Sequence, residues 1–194
     1  MRLHLDGTEV KCDAECASLE DAFVRLEAAA GERHRVIQEF RLDGETVRPE
    51  DRATVGNRPA AEYDRVDAKS LPAAKAAENI LAGVSSSIAD ARDALGRTAE
   101  KLRSGDLAGG LRLVNSVMEG VNVLLQGTAN AAVLTGRPFD TKAVTDPIVS
   151  SMHALQDAAG ANDAFAALDA VEGELLPAVE AFASAVDAMR QSGA

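Results

Sequence analysis

LHLDGTEV (Leu3–Val10) and FRLDGETV (Phe40–Val47) are nearly the same phrase, written twice in one short chain. Asp-Gly between alternating apolar residues is a strong signal for a β-hairpin with a two-residue turn, because a type I′ turn needs positive φ at both central positions. In the first copy Leu3 and Leu5 share a face and Val10 closes the return strand. In the second, Phe40 and Leu42 share a face and Val47 returns. The repeat therefore predicts two hairpins of one shape rather than a duplicated ligand loop.

Between the hairpins lies SLEDAFVRLEAAAGERH (Ser18–His34). Ser18 is a helix cap, with Asp21 three positions on as a variant capping box. Leu19, Phe23 and Leu26 fall on one helical face, and Gly31 suits the position just past the helix end. RPEDRATVGNRPA (Arg48–Ala60) reads mostly as loop. EYDRVDAK (Glu62–Lys69) adds a last strand anchored by Tyr63 and Val66. The order is that of a small β-grasp-like ββαββ domain over residues 1–70.

From Pro72 the composition shifts to Ala, Leu, Val and Glu, and Pro72 suits a helix start. Ile80, Val84, Ile88, Ala91, Leu95, Ala99 and Leu102 recur by 4, 4, 3, 4, 4 and 3 residues. That seam predicts a helix of roughly 30 residues, about 45 Å long. Gly83 and Gly96 weaken it by about 1 kcal/mol each relative to Ala, which suggests that another helix passes close there. SGD (Ser104–Asp106) is a break and a cap. Leu107, Leu111, Val114, Met118, Val121 and Leu125 then form a second seam, with Leu113, Val117 and Leu124 beside it. TGRPFDTKAVTDP (Thr135–Pro147) reads as a loop. Asp146 then caps a third helix with Pro147 at its first position and Ile148, Met152 and Leu155 inward, and Gly160 ends it. A fourth opens at Asn162 or Asp163 and carries Phe165, Leu168, Val171, Leu175, Val179, Phe182, Val186 and Met189 inward. Pro177 lies within it and predicts a kink near Glu172–Gly173. The fold class is α+β: the small domain followed by an antiparallel four-helix bundle over residues 71–194.

The totals narrow the function. The chain has 194 residues, net charge −11, aromatics of 3% and two cysteines, Cys12 and Cys16. The charge is uneven: residues 139–194 hold 2 Lys/Arg against 9 Asp/Glu. An acidic surface repels phosphate backbones and anionic lipid, so nucleic acid is not an expected partner. No run of about 18 apolar residues predicts a membrane span. The start MRLHLDGTEV has no long apolar core of a secretory leader. A cytoplasmic protein is expected, and the Ala and Arg usage points to a bacterial one.

The chemical motifs are few. Walker A, GxGxxG, HExxH, GxSxG and CxxC are all missing. CDAEC (Cys12–Cys16) with His4 or His34 has the atom types of a zinc site, but two Cys at that gap are ordinary thiols far more often. Arg33, His34 and Arg35 read as a solvated turn at a helix end. Ser85–Ser87 read as a polar helix face. Asp169, Glu172, Glu174 and Glu180 read as a solvated acidic face, because bundle metal sites add a Glu-x-x-His that His153 does not complete. No cofactor and no metal are expected.

RVIQEFRLDGETV, a final strand, a long helix, SGDLAGGLRLVNSVMEGVNVLLQ and ELLPAVEAF follow one another across residues 35–183. This order resembles a group of uncharacterised bacterial proteins with a small N-terminal α+β domain and a C-terminal helical bundle. Some members accompany flagellar genes, so the resemblance implies a secretion or assembly accessory. Its motifs are a turn, a cap and a kinking proline, and no functional residue carries over.

The expected function is a non-enzymatic protein–protein interaction or assembly protein, chaperone-like or flagellar- and secretion-associated. Its partner is another protein or a second copy in a homodimer. Leu111, Val114, Val121 and Leu125 are the candidate partner-binding residues, on a seam that Gly83, Gly96, Gly109, Gly110 and Gly120 open to close approach; plain core is the competing fate of each. The alternative is a small-molecule or metal-dependent enzyme with a site at the domain junction using Cys12, His34 and Tyr63.

Overall fold

The computed structural model describes residues 1–11 and 16–191. The chain divides into two compact units, Met1–Ala76 and Ala77–Ala194. It is α+β, a small mixed sheet followed by helices.

The first unit holds β1 (Arg2–Leu5), β2 (Thr8–Val10), α1 (Leu19–Gly31), β3 (Arg35–Leu42), β4 (Glu45–Val47), a short helix α2 (Arg52–Gly56) and β5 (Arg65–Pro72). The sheet order is β2-β1-β5-β3-β4, with β1 parallel to β5 and the other pairs antiparallel. Both Asp-Gly pairs make the expected turns, with φ of 50° and 80° at Asp6 and Gly7 and of 47° and 94° at Asp43 and Gly44. Cross-strand register alternates through the two core rows, and β3 carries one irregularity against β5 between Ile37 and Glu39. Val10, Leu3, Val66 and Leu42 form one row, and Leu5, Ala68, Phe40 and Val47 another. Leu19, Phe23 and Leu26 of α1 are fully buried with these rows. Each such side chain contributes about 1.5–3 kcal/mol by leaving water. Ser18 and Asp21 form the capping box, with the Asp21 amide 3.2 Å from Ser18 Oγ and the Ser18 amide 3.0 Å from Asp21 Oδ2.

Three details of this unit differ from the sequence reading. Gly31 is the last residue of α1, and the left-handed position falls on His34 at φ 52°. The His34 amide donates to the Gly31 carbonyl at 2.9 Å, so the chain leaves the helix by a further turn before it becomes left-handed. Arg48–Ala60 is more ordered than a loop: a 3₁₀ turn at Pro49–Asp51 leads into α2. Arg52 ties it down, reaching Glu27 at 2.6 Å and Glu20 at 3.2 Å while lying over the Phe23 and Phe40 rings at 5.7 and 5.5 Å. β5 runs on to Pro72, which ends the strand; α3 begins at Ala73.

The second unit is helical, holding α3 (Ala73–Arg103) from Ala77 onward, α4 (Leu107–Thr135), α5 (Thr141–Gly160), α6 (Ala164–Ala170), a π-helical turn (Val171–Leu175) and α7 (Leu176–Gln191). Leu81, Ile88, Leu95, Val114, Val121, Ile148, Leu155, Leu175, Phe182 and Val186 share one core. A Cβ on Gly110 would meet Leu102, and one on Gly127 would meet Val84 and Ile80, so α3 and α4 run in opposite directions. Asp106 caps α4 through the Gly109 amide at 2.8 Å.

α5 starts earlier than its proline suggested. Asp140 caps it by accepting the Ala143 amide at 3.0 Å, and Pro147 lies inside the helix. DTKA and TDPI both read as helix starts; the first lets Val144 join the core, where it is 8% exposed. The expected kink near Gly173 is a π turn, in which the Leu176 amide reaches back five residues to Val171. A wide turn gives the Pro177 ring room against the Gly173 carbonyl. Phe165 is 72% exposed and not inward. Of the five glycines expected to open a seam, Gly110 alone marks a close approach, against Leu102: a Cβ on Gly83, Gly96 or Gly120 would touch nothing within 4 Å, and one on Gly109 would meet only the Asp106 cap.

Candidate functional site

The inward face of α4 is made by Val114, Val117, Val121, Thr128 and Ala132. Thr128 is fully buried, and its hydroxyl donates to the Leu124 carbonyl at 2.8 Å, which satisfies it within the helix. The opposite, outward face carries Glu119, Val123, Gln126, Asn130 and Val133, stepping by 4, 3, 4 and 3. All are exposed, Val123 to 69% and Val133 to 81%.

What distinguishes this face is its charge. The seventeen residues Gly120–Gly136 contain no Asp, Glu, Lys, Arg or His, in a chain that is 26% charged. An exposed helix is normally where such residues sit, since they are the ones that burial penalises most. Here the outward positions are Val, Asn and Gln instead. Among the described residues no side chain hydrogen-bonds Gln126 or Asn130, so both amides face outward with full capacity. The neighbouring part of α3 is also uncharged from Asn79 to Ala89, and the Gly127 contacts with Ile80 and Val84 place it alongside. Exposed Asn79, Ala82, Gly83, Ser86 and Ser87 extend the same character.

The four sequence candidates lie elsewhere on the helix. Val114 and Val121 are each 1% exposed, within the core, and Leu111 and Leu125 are half-buried against it. Following the most apolar seam leads inward; the outward stripe has only two apolar members. The signal that marks it is the missing charge of Gly120–Gly136.

The sheet has a polar face. One cross-strand row reads Glu9, His4, Asp67, Arg41 and Thr46. A cavity of about 380 Å³ lies beside it, rimmed by Gly7, Gly44, Arg41, Arg65, Asp67 and Lys69. Its charges neutralise one another: Arg65 holds Asp67 at 2.6 Å, Arg41 pairs with Glu39, and Lys69 stands 3.9 Å from the same Glu39. Hydrogen bonding by Arg41, against a smaller desolvation effect, holds the Glu39 carboxyl below its usual range. His4 Nδ1 is buried, has no hydrogen-bond partner among the described residues, and stands 3.8 Å from Asp67 Oδ1. A second, more apolar cavity of about 570 Å³ lies among Phe139, Val144, Ala185 and Met189, beside a bond from Arg137 to the Met189 carbonyl.

Among the described residues the remaining candidates do not converge. Cys12 lies outside the described residues. Cys16 is half-buried against the first core. His34 is exposed where β3 meets the end of β5, its carbonyl accepting the Ala73 amide. Tyr63 lies before the start of β5 and receives Arg58 at 3.0 Å. An eight-residue strand, about 26 Å, therefore separates the ends at which His34 and Tyr63 sit. His153 is exposed on α5. Ser85 Oγ receives Arg190 at 3.3 Å. Glu180 pairs with Arg92 at 2.9 Å and Glu172 pairs with Arg103, so two of the four acidic residues tie α7 and the π turn to α3. Among the described residues no group of three His, Cys, Asp or Glu is placed to hold a metal, and no helix is long and apolar enough to cross a membrane. Comparison with protein-family models, curated proteins and solved structures found no match.

Proposed function

We propose that this chain is a non-enzymatic protein–protein interaction module, an assembly accessory whose contact surface is the uncharged outward face of α4. Its second unit is best read as an antiparallel four-helix bundle and its first as a β-grasp-like ββαββ domain, acting in the bacterial cytoplasm. One observation carries the reading: Gly120–Gly136 is charge-free although Asn122, Val123, Gln126, Asn130 and Val133 are exposed. The cores of protein interfaces are depleted in charge, because a charge there must be desolvated. A solvated helix under no such demand gains from charged side chains and i,i+4 pairs. Val123 and Val133 supply apolar contact, and the three amides supply adaptable hydrogen bonds.

Affinity capture from a bacterial lysate, with the native chain and with Val123→Glu/Val133→Glu run side by side, tests the reading. A protein bound by the native chain and lost with the variant is expected. Identical bound proteins for the two, with the variant's helicity intact, would overturn it.

A further inference from the structure

We propose that the occupant of the α4 face is a second copy of this chain, packed antiparallel α4 against α4 about a two-fold axis at the level of Thr128. This rests on the reading of that face as a contact surface and names its partner.

The outward residues are arranged symmetrically. Val123 and Val133 lie five residues either side of Thr128, and Gln126 and Asn130 two residues either side. A two-fold interface requires that when residue i meets j, j also meets i. Antiparallel α4 helices centred here satisfy that at every layer: Val123 meets Val133 of the second copy, and Gln126 meets Asn130. The 4, 3, 4, 3 spacing is that of a coiled-coil seam, so the layers stay in line along the pair. Each Gln–Asn layer joins two amides, each with donor and acceptor, and satisfies both as they leave water.

Charge supports the same direction. The first charges met beyond the uncharged stretch are Glu119 at one end and, just past the end of the helix, Arg137 at the other, whose guanidinium keeps its charge while it donates to the Met189 carbonyl. An antiparallel pair brings unlike ends together; a parallel pair brings like ends together. The helix dipoles also favour the antiparallel arrangement. Two copies of a chain with net charge −11 repel each other, and the residues Gly120–Gly136 add no charge of their own to that repulsion. Gln126 and Asn130 in the middle of the seam set the register, because any slip leaves an amide against valine.

Three proteins test the inference by light scattering across a concentration series: the native chain, Val123→Glu, and Val133→Lys. Both substitutions are at exposed positions, and circular dichroism checks that helicity is kept. The native chain is expected to approach twice 20.2 kDa with rising concentration. Each variant alone places a charge against valine in both copies and is expected to stay at the monomer mass. In an equimolar mixture the introduced carboxylate of one copy faces the introduced ammonium of the other, and the second such layer keeps valine against valine, so the doubled mass returns. A native chain that stays monomeric overturns the self-association while leaving the lysate capture to judge the contact face. A doubled mass that both variants retain overturns it as well, placing the dimer contact elsewhere. Singles that dissociate with a mixture that does not recover overturn the antiparallel register.

Discussion

Asp6 and Asp43 hold the same strand from opposite edges: Asp6 accepts the Ser70 amide at 2.8 Å and Asp43 accepts the Arg65 amide at 2.8 Å. In each case a strand has just turned away from β5, and the turn's own carboxylate takes the amide that the departing strand leaves behind. Asp6 also accepts the Ser70 hydroxyl at 2.6 Å, and Asp43 lies 3.3 Å from the Asp64 amide. The repeated LDG phrase is thus one device used twice, a turn that also ends a ladder. Asp6→Ala and Asp43→Ala should each lower the stability of the first unit by about 1 kcal/mol, at the modest end for bonds to a charged acceptor because both sites are exposed. The two grips lie about 16 Å apart along β5, so the double variant should show their sum to within about 0.5 kcal/mol in urea unfolding.

Asp6 also carries a pH dependence. Desolvation raises its pKa, but the Ser70 hydroxyl and amide and the Arg35 guanidinium together outweigh that and hold it below the ordinary carboxylate value of 3.8. A depressed folded-state pKa means that the unfolded chain binds the proton first. The stabilisation is therefore complete above about pH 4 and is lost as pH falls through the lower, folded value. Asp6→Asn should flatten the acid limb of a stability–pH curve and leave its slope near neutrality unchanged.

The start of α5 separates two readings of one segment. If Asp140 is the cap, Asp140→Ala should cost about 1 kcal/mol, and Asp146→Ala should change stability by less than about 0.5 kcal/mol. Pro147→Ala should be stabilising, since it restores an amide inside a helix. Were Pro147 the first helical residue, the same change would be close to neutral. Thermal melts of the three variants decide the matter.

Glycines provide a sharper contrast than their spacing suggests. Gly83, Gly96 and Gly173 face open space, so Ala at each should stabilise its helix by about 0.5–1 kcal/mol. Gly110 is different: a Cβ there would lie 2.6 Å from Leu102 Cδ2, and Leu102 is 1% exposed. Gly110→Ala should destabilise by about 1–3 kcal/mol. Denaturant midpoints measured across the four variants should split three against one.

The sequence alone exposes the elements whose periodicity is strong. Both hairpins follow from Asp-Gly, α1 from its capping box, and α3 from a seam in which Leu81 replaces Ile80 as the deeper residue. The misses share a cause: local signals compete, and packing chooses between them. Two Asp residues could cap α5, and the core required the earlier one. Phe165 fits the apolar rhythm of its helix but lies in the first turn, with 72% of its surface in water. Phe165→Ser should thus cost little, whereas Phe182→Ala, at a fully buried ring, should cost about 3–5 kcal/mol. The proposed α4 face follows a related rule: oily residues mark interiors, and this surface is distinguished by what it omits.

Salt offers a check on the character of that surface. Contacts made by charge weaken as ions screen them, with a Debye length of about 10 Å at 0.1 M. Contacts made by valine and amides do not, and screening also relieves the repulsion between two acidic chains. Association through α4 should therefore hold steady or tighten between low salt and about 0.5 M, read as the midpoint of the mass-against-concentration curve.

The π turn at Val171–Leu175 has a consequence for how the last helix tolerates change. It stores one residue beyond what a regular helix needs between Leu168 and Val179. Losing a residue there lets the coil tighten locally while the rows on either side keep their aim. Elsewhere in α7 the same loss rotates every downstream side chain by about 100° and turns Phe182, Val186 and Met189 out of the interior. That wide coil is a slack point, where the length of the chain can drift by one without the rest of the helix registering it.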